Sequence, residues 1–148
     1  MSEPTRELLL CAAAFLDQGR IVDRLSRLLT VAALVAILIG PAIATRPPWI
    51  LIGSAALVTL AGFAETYFAI RVGFDAALFN LVANAPEAAT FASIDAALTQ
   101  LGLLPTSQHR RPAGVRIAGA RRLFGLQITF LAAQVLSLLA GAWRGLAG

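Results

Sequence analysis

Apolar residues in this chain fall into three long runs, which short polar or proline-containing segments separate. The runs cover residues 25–44, 49–69 and 123–143. A helix rises about 1.5 Å per residue, so about twenty apolar residues cross a hydrocarbon core of about 30 Å. The runs are rich in Ala and Leu and do not alternate with polar residues, which argues against strands. The pattern therefore predicts an all-α membrane protein with three transmembrane helices.

The second run continues past the predicted membrane boundary without a Gly-Pro break. After residue 69 it reads IRVGFDAALFNLVA and includes Arg71 and Asp75. We therefore predict one helix that spans the membrane over 49–69 and projects beyond it to about residue 83. Its small residues recur in steps of four and three, and this seam predicts the central packing surface of the molecule. The seam residues are Ala55, Thr59, Gly62, Thr66, Ala69, Gly73 and Ala76.

Small residues also recur at every fourth position of the other two spans, where they would let a second helix backbone approach closely. They are Ala32, Ala36 and Gly40 in the first span, and Gly125, Thr129, Ala133, Ser137 and Gly141 in the third. Gln127 and Gln134 share a separate face of the third span. This span therefore has two faces suited to helix contacts. Either the two faces meet the two other spans, or one face is reserved for another protein.

Two segments outside the spans are too short or too polar to cross a membrane. Residues 1–19 carry an apolar run from Leu8 to Leu16, and Gly19 is expected to end this helix. We predict an N-terminal amphipathic helix that lies at the membrane surface or against the protruding half of the second long helix. Residues 105–116 are polar and basic, and they predict a loop before the third span.

A third segment, residues 85–102, predicts an amphipathic helix that faces water. Asn84 is suited to cap the start of this helix, and Pro86 suits its first turn. Gly102 fits the position just after its end. The apolar residues recur at helical spacing and Asp95 lies off their stripe, so we expect its carboxylate to face solvent.

The arginines are distributed unevenly along the chain and predict its orientation. Ten of the twelve lie before the first span, in its first turn or between the second and third spans, and the other two are Arg46 and Arg144. The positive-inside rule then places the N-terminus and residues 70–122 in the cytoplasm. Trp49 and Trp143 both fall at the outer interface, where their rings are favoured. The expected topology is N-in and C-out, with a small cytoplasmic helical region.

Composition supports the membrane assignment and narrows the range of partners. The chain is 58% hydrophobic and 14% charged, whereas soluble domains average about 25% charged residues. Its net charge of +4 comes from twelve arginines and no lysine. Because these arginines border apolar spans, topology explains them better than nucleic-acid binding does. The Ala-, Leu- and Arg-rich, lysine-free composition favours a bacterial inner membrane.

Catalytic and cofactor chemistry have little support in the sequence. His109 is the only histidine, and it is far from the lone Cys11, which we expect to be a small buried hydrophobic residue. No predicted span contains a histidine or methionine for haem ligation, and no Gly-rich phosphate loop is present. No Ser-His-Asp or Cys-His arrangement can be assembled. We therefore expect no enzyme activity, no metal and no cofactor.

Glu65 is the most informative ionisable residue because it lies inside a predicted span. It follows Trp49 by sixteen residues, which is about 24 Å along an ideal helix and places it near the cytoplasmic interface. An ion pair with Arg24, Arg27 or Arg122 would fix the register of the helices. Proton or ion handling is the second interpretation, and contact with a partner subunit is the third.

Arginines in and after the basic loop are suited to contact with anionic lipid headgroups. Each such residue near a membrane surface contributes about 1 kcal/mol of attraction. A docking site for an acidic partner is the alternative interpretation. These residues are Arg110, Arg111, Arg116, Arg121 and Arg122.

The lack of catalytic groups and the several small-residue helix faces favour a non-enzymatic role. The first hypothesis is an accessory or scaffold subunit of a bacterial inner-membrane complex, bound to other subunits in a hetero- or homo-oligomer by helix packing. The second is a small self-associating channel or transport component that uses Glu65 and the two glutamines. The third is a membrane-anchored regulator or adaptor that works through its cytoplasmic helices and basic loop.

Overall fold

The computed structural model describes residues 6–43, 49–85, 90–102 and 112–147, which are 95% helical and contain no strand. Within these ranges the helices are α1 (Arg6–Asp17), α2 (Gly19–Ile43), α3 (Trp49–Asn84), α4 (Phe91–Gln100) and α5 (Ala113–Ala147). Three helical stretches are long and apolar enough to cross a membrane, namely Arg6–Ala42, Trp49–Asn84 and Ala113–Arg144. The predicted all-α class with three candidate spans is thus confirmed. Membrane insertion and orientation stay predictions.

A single turn residue, Gln18, separates the first two helices. Its N–H donates to the carbonyl oxygen of Phe15 at 3.3 Å. Gly19, which we expected to end a helix, is instead the first residue of α2, and it is buried. The helix that contains the predicted first span therefore starts well before residue 25.

Helix α3 runs from Trp49 to Asn84 without a break and is 36 residues long. At about 1.5 Å per residue it measures about 54 Å, against a hydrocarbon core of about 30 Å. A helix of this length, if it crosses a membrane, must tilt strongly or project from it. The continuity predicted from the apolar pattern extends through Arg71 and Asp75.

The start of α4 differs from the prediction. Asn84 is the last residue of α3, and its side-chain amide donates to the carbonyl of Asn80 at 3.0 Å. The N-cap of α4 is Thr90, whose hydroxyl accepts from the N–H of Ser93 at 3.3 Å, while the Ser93 hydroxyl accepts from the N–H of Thr90 at 3.1 Å. Pro86 lies outside the described residues. The hydroxyl side chains of Thr90 and Ser93 thus form the capping box of α4.

The end of α4 agrees with the prediction, whereas α5 starts earlier than predicted. Gly102 has a φ of 71°, which suits the position after a helix that the sequence assigned to it. Helix α5 begins at Ala113, and the carbonyl of Pro112 accepts from Val115 and Arg116 at 3.0 and 3.2 Å. The last four residues of the predicted loop 105–116 are therefore helical. Proline suits a helix start because the missing N–H has no partner there in any case.

The chain forms two compact units, and α3 and α5 contribute residues to both. The first comprises Met1–Gln18 with Arg71–Leu123, and the second comprises Gly19–Ile70 with Phe124–Gly148. Apolar side chains from all four helical segments form the core of the first unit. They include Leu9, Ala13, Leu16, Val72, Ala76, Phe79, Ile94 and Ala120.

The orientation of α1 explains why Cys11 is exposed, contrary to our expectation. The buried residues of this helix, Leu9, Ala13 and Leu16, recur at helical spacing on one face. Cys11 lies away from that face because it is only two positions from both Leu9 and Ala13.

The first unit contains a buried ion pair, and the predicted solvent-facing position of Asp95 on α4 is wrong. Asp95 is 1% exposed rather than facing solvent. Its two carboxylate oxygens accept from Nη2 of Arg116 at 2.7 and 2.6 Å. The guanidinium of Arg116 also lies 5.1 Å from the centre of the Phe91 ring, and this ring packs edge-on against Phe79. An arginine that we assigned to lipid contact therefore holds α4 against α5.

Replacing Arg116 with alanine should destabilise α4, because it leaves the buried carboxylate of Asp95 without its guanidinium partner. We expect a loss of about 3 kcal/mol in the free energy of local opening, measured by hydrogen–deuterium exchange of the α4 amides. The matched control is Arg27→Ala, which breaks the exposed Arg27–Asp23 pair of 2.9 Å and should cost less than about 1 kcal/mol. Equal effects of the two substitutions on amide exchange would contradict the assigned role of the buried pair.

Candidate functional site

The second unit has an apolar core in which small residues bring α2 and α3 together. Ala33, Ala55 and Val58 form its buried centre. Four partly buried side chains pack against that centre, namely Leu29, Ala36, Ile37 and Leu138. Three helices therefore meet within this unit: α2, the first part of α3 and the second part of α5.

Among the described residues of the same unit, five polar side chains are buried, and they form the candidate site. They are Ser26, Thr59, Glu65, Gln127 and Gln134. Thr59 satisfies its hydroxyl within its own helix, by donating to the carbonyl of Ala55 at 2.9 Å. The other four side chains lie between helices and account for the polar contacts described below.

The amide of Gln127 joins all three helices at one point. Its Nε2 donates to Oε1 of Glu65 on α3 at 2.8 Å and to the carbonyl oxygen of Gly19 on α2 at 2.8 Å. All three residues are buried, and the Glu65 and Gln127 side chains have no exposed surface. Both N–H groups of the amide are therefore used, one on each neighbouring helix.

Glu65 has a different partner from the one we expected. Within the described residues its carboxylate forms no ion pair, whereas the sequence suggested Arg24, Arg27 or Arg122. Arg27 bonds instead to Asp23 on its own helix at 2.9 Å. Sequence spacing could not reveal the contact with Gln127, because the residues are 62 positions apart and belong to different helices.

Gln134 forms a second polar junction on the same face of α5 as Gln127. Its Nε2 lies 3.0 Å from the hydroxyl of Thr30 and 3.1 Å from the carbonyl of Val58. The Thr30 hydroxyl donates to the carbonyl of Ser26 at 2.8 Å. The face that carries the two glutamines therefore packs against both α2 and α3.

Gly62 makes room for this second junction. A Cβ atom at this position would collide with the hydroxyl of Thr30 and lie 2.7 Å from Nε2 of Gln134. Gly141 has a similar role further along α5, where a Cβ would overlap the side chain of Ser54. Both glycines permit helix approaches that a larger residue would block.

The predicted small-residue positions divide into three groups by exposure. Buried positions are Gly40, Ala55, Thr59, Gly62 and Gly141, and partly buried ones are Ala36, Thr66, Ala133 and Ser137. The exposed positions are Ala32, Gly125 and Thr129. The small-residue face of α5 is therefore packed near Gly141 and open near Gly125, where an added Cβ would meet no atom within 4 Å.

The predicted lipid-contact arginines also divide. Arg116 pairs with Asp95, while Arg121 and Arg122 are exposed. Arg110 and Arg111 lie outside the described residues, as does His109. In the described ranges, no three His, Cys, Asp or Glu side chains come together as a possible metal site.

The fold and the site together define an all-helical protein with three candidate membrane spans and a buried glutamine–glutamate junction between them. Comparisons of the chain with protein-family models, with curated proteins and with solved structures found no match. The function is therefore inferred from the geometry of the described residues.

Replacing Gly62 with alanine should weaken the second unit, because the new methyl group must displace Gln134 or Thr30. Overpacking of this kind costs about 1–3 kcal/mol, and we expect a lower thermal midpoint for the purified protein in mild detergent. Gly125→Ala is the matched control, since its methyl group meets no neighbour and alanine favours helix by up to about 1 kcal/mol. If Gly62→Ala were as stable as Gly125→Ala, the close approach at Gly62 would be wrong.

Proposed function

We propose that this protein is a non-catalytic accessory or scaffold subunit of a bacterial inner-membrane complex and acts by helix–helix packing. Its partners in this proposal are other membrane-protein subunits, with anionic lipid headgroups near the exposed Arg121 and Arg122. The proposal is supported by the way the buried polar groups are used and by one helix face that the chain leaves uncovered.

The glutamine amides support a structural role for the site. Gln127 and Gln134 each bond to residues of both α2 and α3. Interhelical hydrogen bonds of this kind contribute about 0.6–2 kcal/mol each in membranes. Their role in this proposal is to hold the three helices in one register, which a rigid docking surface requires.

The main support for the proposal is that the small-residue face of α5 is open near Gly125. Glycine within a helix costs about 0.5–1 kcal/mol relative to alanine, so a glycine there needs a compensating close contact. Gly62 and Gly141 have such contacts within the chain, and Gly125 has none among the described residues. The neighbouring Thr129 is exposed and donates to the carbonyl of Gly125 at 2.9 Å. This smooth surface suits the backbone of a helix from another subunit.

The orientation in this proposal follows from charge. Six of the twelve arginines lie between the second and third predicted spans, three precede the first, and Arg27 lies in its first turn. A reporter enzyme that is active only in the periplasm should therefore be active when it is fused after Gly148. A fluorescent protein that matures only in the cytoplasm should fluoresce at the N-terminus and stay dark at the C-terminus. Fluorescence from the C-terminal fusion would contradict the N-in, C-out topology.

Placing leucine at Gly125 should disrupt association with a partner while the fold stays intact. Gly125 is exposed and an added Cβ would meet no atom within 4 Å, whereas a leucine side chain there would prevent close approach by a second helix. The full-length tagged protein would be purified from its own membranes in mild detergent, and a stoichiometric membrane protein should co-purify with the wild type and be lost in the variant.

Gly119→Leu is the matched control for that experiment. Gly119 lies on the same helix, is exposed and also has no atom within 4 Å of an added Cβ, but it lies outside the predicted span. This variant should retain the partner. A monomeric wild type with no co-purifying protein and no neighbour in cross-linked cells would contradict the scaffold role. Recovery of further copies of this chain alone would favour the self-associating transport component instead.

A further inference from the structure

Glu65 is a buried carboxylate for which the chain provides hydrogen bonds but no compensating charge. Its side chain is fully buried in the second unit, and it forms no ion pair within the described residues. Oε1 accepts from Gln127, whereas Oε2 has no hydrogen-bond partner in the described part of the chain. A buried carboxylate that is neither paired nor neutralised is strongly unfavourable.

Two further orphaned oxygen atoms lie in the same cluster. Oε1 of Gln127 and Oγ of Ser26 are buried and have no hydrogen-bond partner among the described residues. The Ser26 hydroxyl lies close to the Glu65 carboxylate and is the group that could donate a hydrogen to it, although no hydrogen bond of good geometry joins them. Each of the three oxygens comes from a different helix: Ser26 from α2, Glu65 from α3 and Gln127 from α5.

The surrounding charges do not neutralise the carboxylate. On α2 the charged groups that influence Glu65 are Asp23 and Arg27, and these two bond to each other at 2.9 Å. Within the described residues, α5 contributes the uncharged amide of Gln127 to this contact. Both N–H groups of that amide already donate, so it has no further hydrogen for Oε2. The one remaining hydrogen is that of the Ser26 hydroxyl, so the cluster has more acceptors than donors and, with Glu65 ionised, one uncompensated negative charge.

We propose that Glu65, Ser26 and Gln127 hold one exchangeable monovalent cation, either a proton or Na⁺. The shared chemistry is a single positive charge accepted by buried oxygen atoms. A proton on Oε2 would neutralise the carboxylate and convert this oxygen into a hydrogen-bond donor, for which the oxygens of Ser26 and Gln127 are acceptors. Na⁺ would use the same three oxygens as ligands, and carboxylate, hydroxyl and amide oxygens all suit a hard cation.

This site shares Gln127 with the register contacts of the scaffold proposal, but it makes no use of the open face at Gly125, and its test needs no partner. Loss of cation binding would leave the partner experiment unaffected, and absence of a partner would not alter the ionisation state of Glu65. The two proposals can therefore fail separately.

Infrared spectroscopy of the full-length protein in lipid tests this proposal directly, because a protonated carboxyl group has its own carbonyl band. Spectra of the wild type and of Glu65→Gln would be compared from about pH 5 to about pH 9, a range in which buried carboxyl groups titrate. At neutral pH without Na⁺, we expect a protonated-carboxyl band in the wild type that is lost in Glu65→Gln. The control Glu7→Gln changes an exposed glutamate and should keep the band.

A second set of spectra separates the two cations. Adding Na⁺ in place of choline at constant pH should remove the band and raise the thermal midpoint of the wild type if Na⁺ displaces the proton. A band that does not respond to Na⁺ identifies the proton as the occupant. A band that is absent, together with Na⁺-dependent stabilisation lacking in Glu65→Gln, identifies Na⁺.

Ser26→Ala is a second variant that can be measured if Glu65→Gln does not fold. It should fold, because removing one hydroxyl changes the side-chain volume little. Loss of this hydroxyl should shift the frequency of the Glu65 carbonyl band or weaken the Na⁺ effect. The proposal is overturned if the wild type shows no band that depends on Glu65 or Ser26 at any pH in the range, and Na⁺ does not stabilise it relative to choline.

Discussion

The second unit depends on how one side-chain amide is satisfied. Gln127 has two N–H groups, and they donate to Gly19 on one helix and to Glu65 on another. In the predicted membrane span no water would compete for these groups, so a shift of α3 by one residue would leave one N–H of Gln127 and the Glu65 carboxylate unpaired. The penalty for the wrong register exceeds the modest net gain from the right one. The amide therefore specifies how the helices align more than it adds to their stability.

Glycine and glutamine act together at the next junction. Gln134 reaches the carbonyl of Val58 because Gly62, four residues further along α3, has no side chain to block it. Backbone carbonyls in a helix already accept one hydrogen bond, and they have a second lone pair for an amide only where the helix surface is open. The small-residue seam therefore serves polar contacts as well as close packing.

In the first unit a buried ion pair joins two helices. Asp95 and Arg116 form a buried ion pair, and the guanidinium lies over Phe91, which packs against Phe79. A charged pair of this kind is suited to a region that water can reach, since the desolvation cost falls as the surroundings become more polar. Arg116 has 15% of its side chain exposed, while Asp95 has 1%. The first unit thus uses an ion pair where water is expected, and the second uses uncharged glutamine amides where lipid is expected.

The sequence by itself determined the helical class, the three candidate spans and the small and polar positions that could serve as helix contacts, because these follow from local periodicity and run length. Only the tertiary structure decided the pairing, since Glu65 to Gln127 and Asp95 to Arg116 join residues distant in the chain. It also decided which repeats pack: the face near Gly141 is covered and the face near Gly125 is open. Both faces have the same periodicity, and a repeat cannot specify its neighbour, because contact depends on where the other helices lie in space.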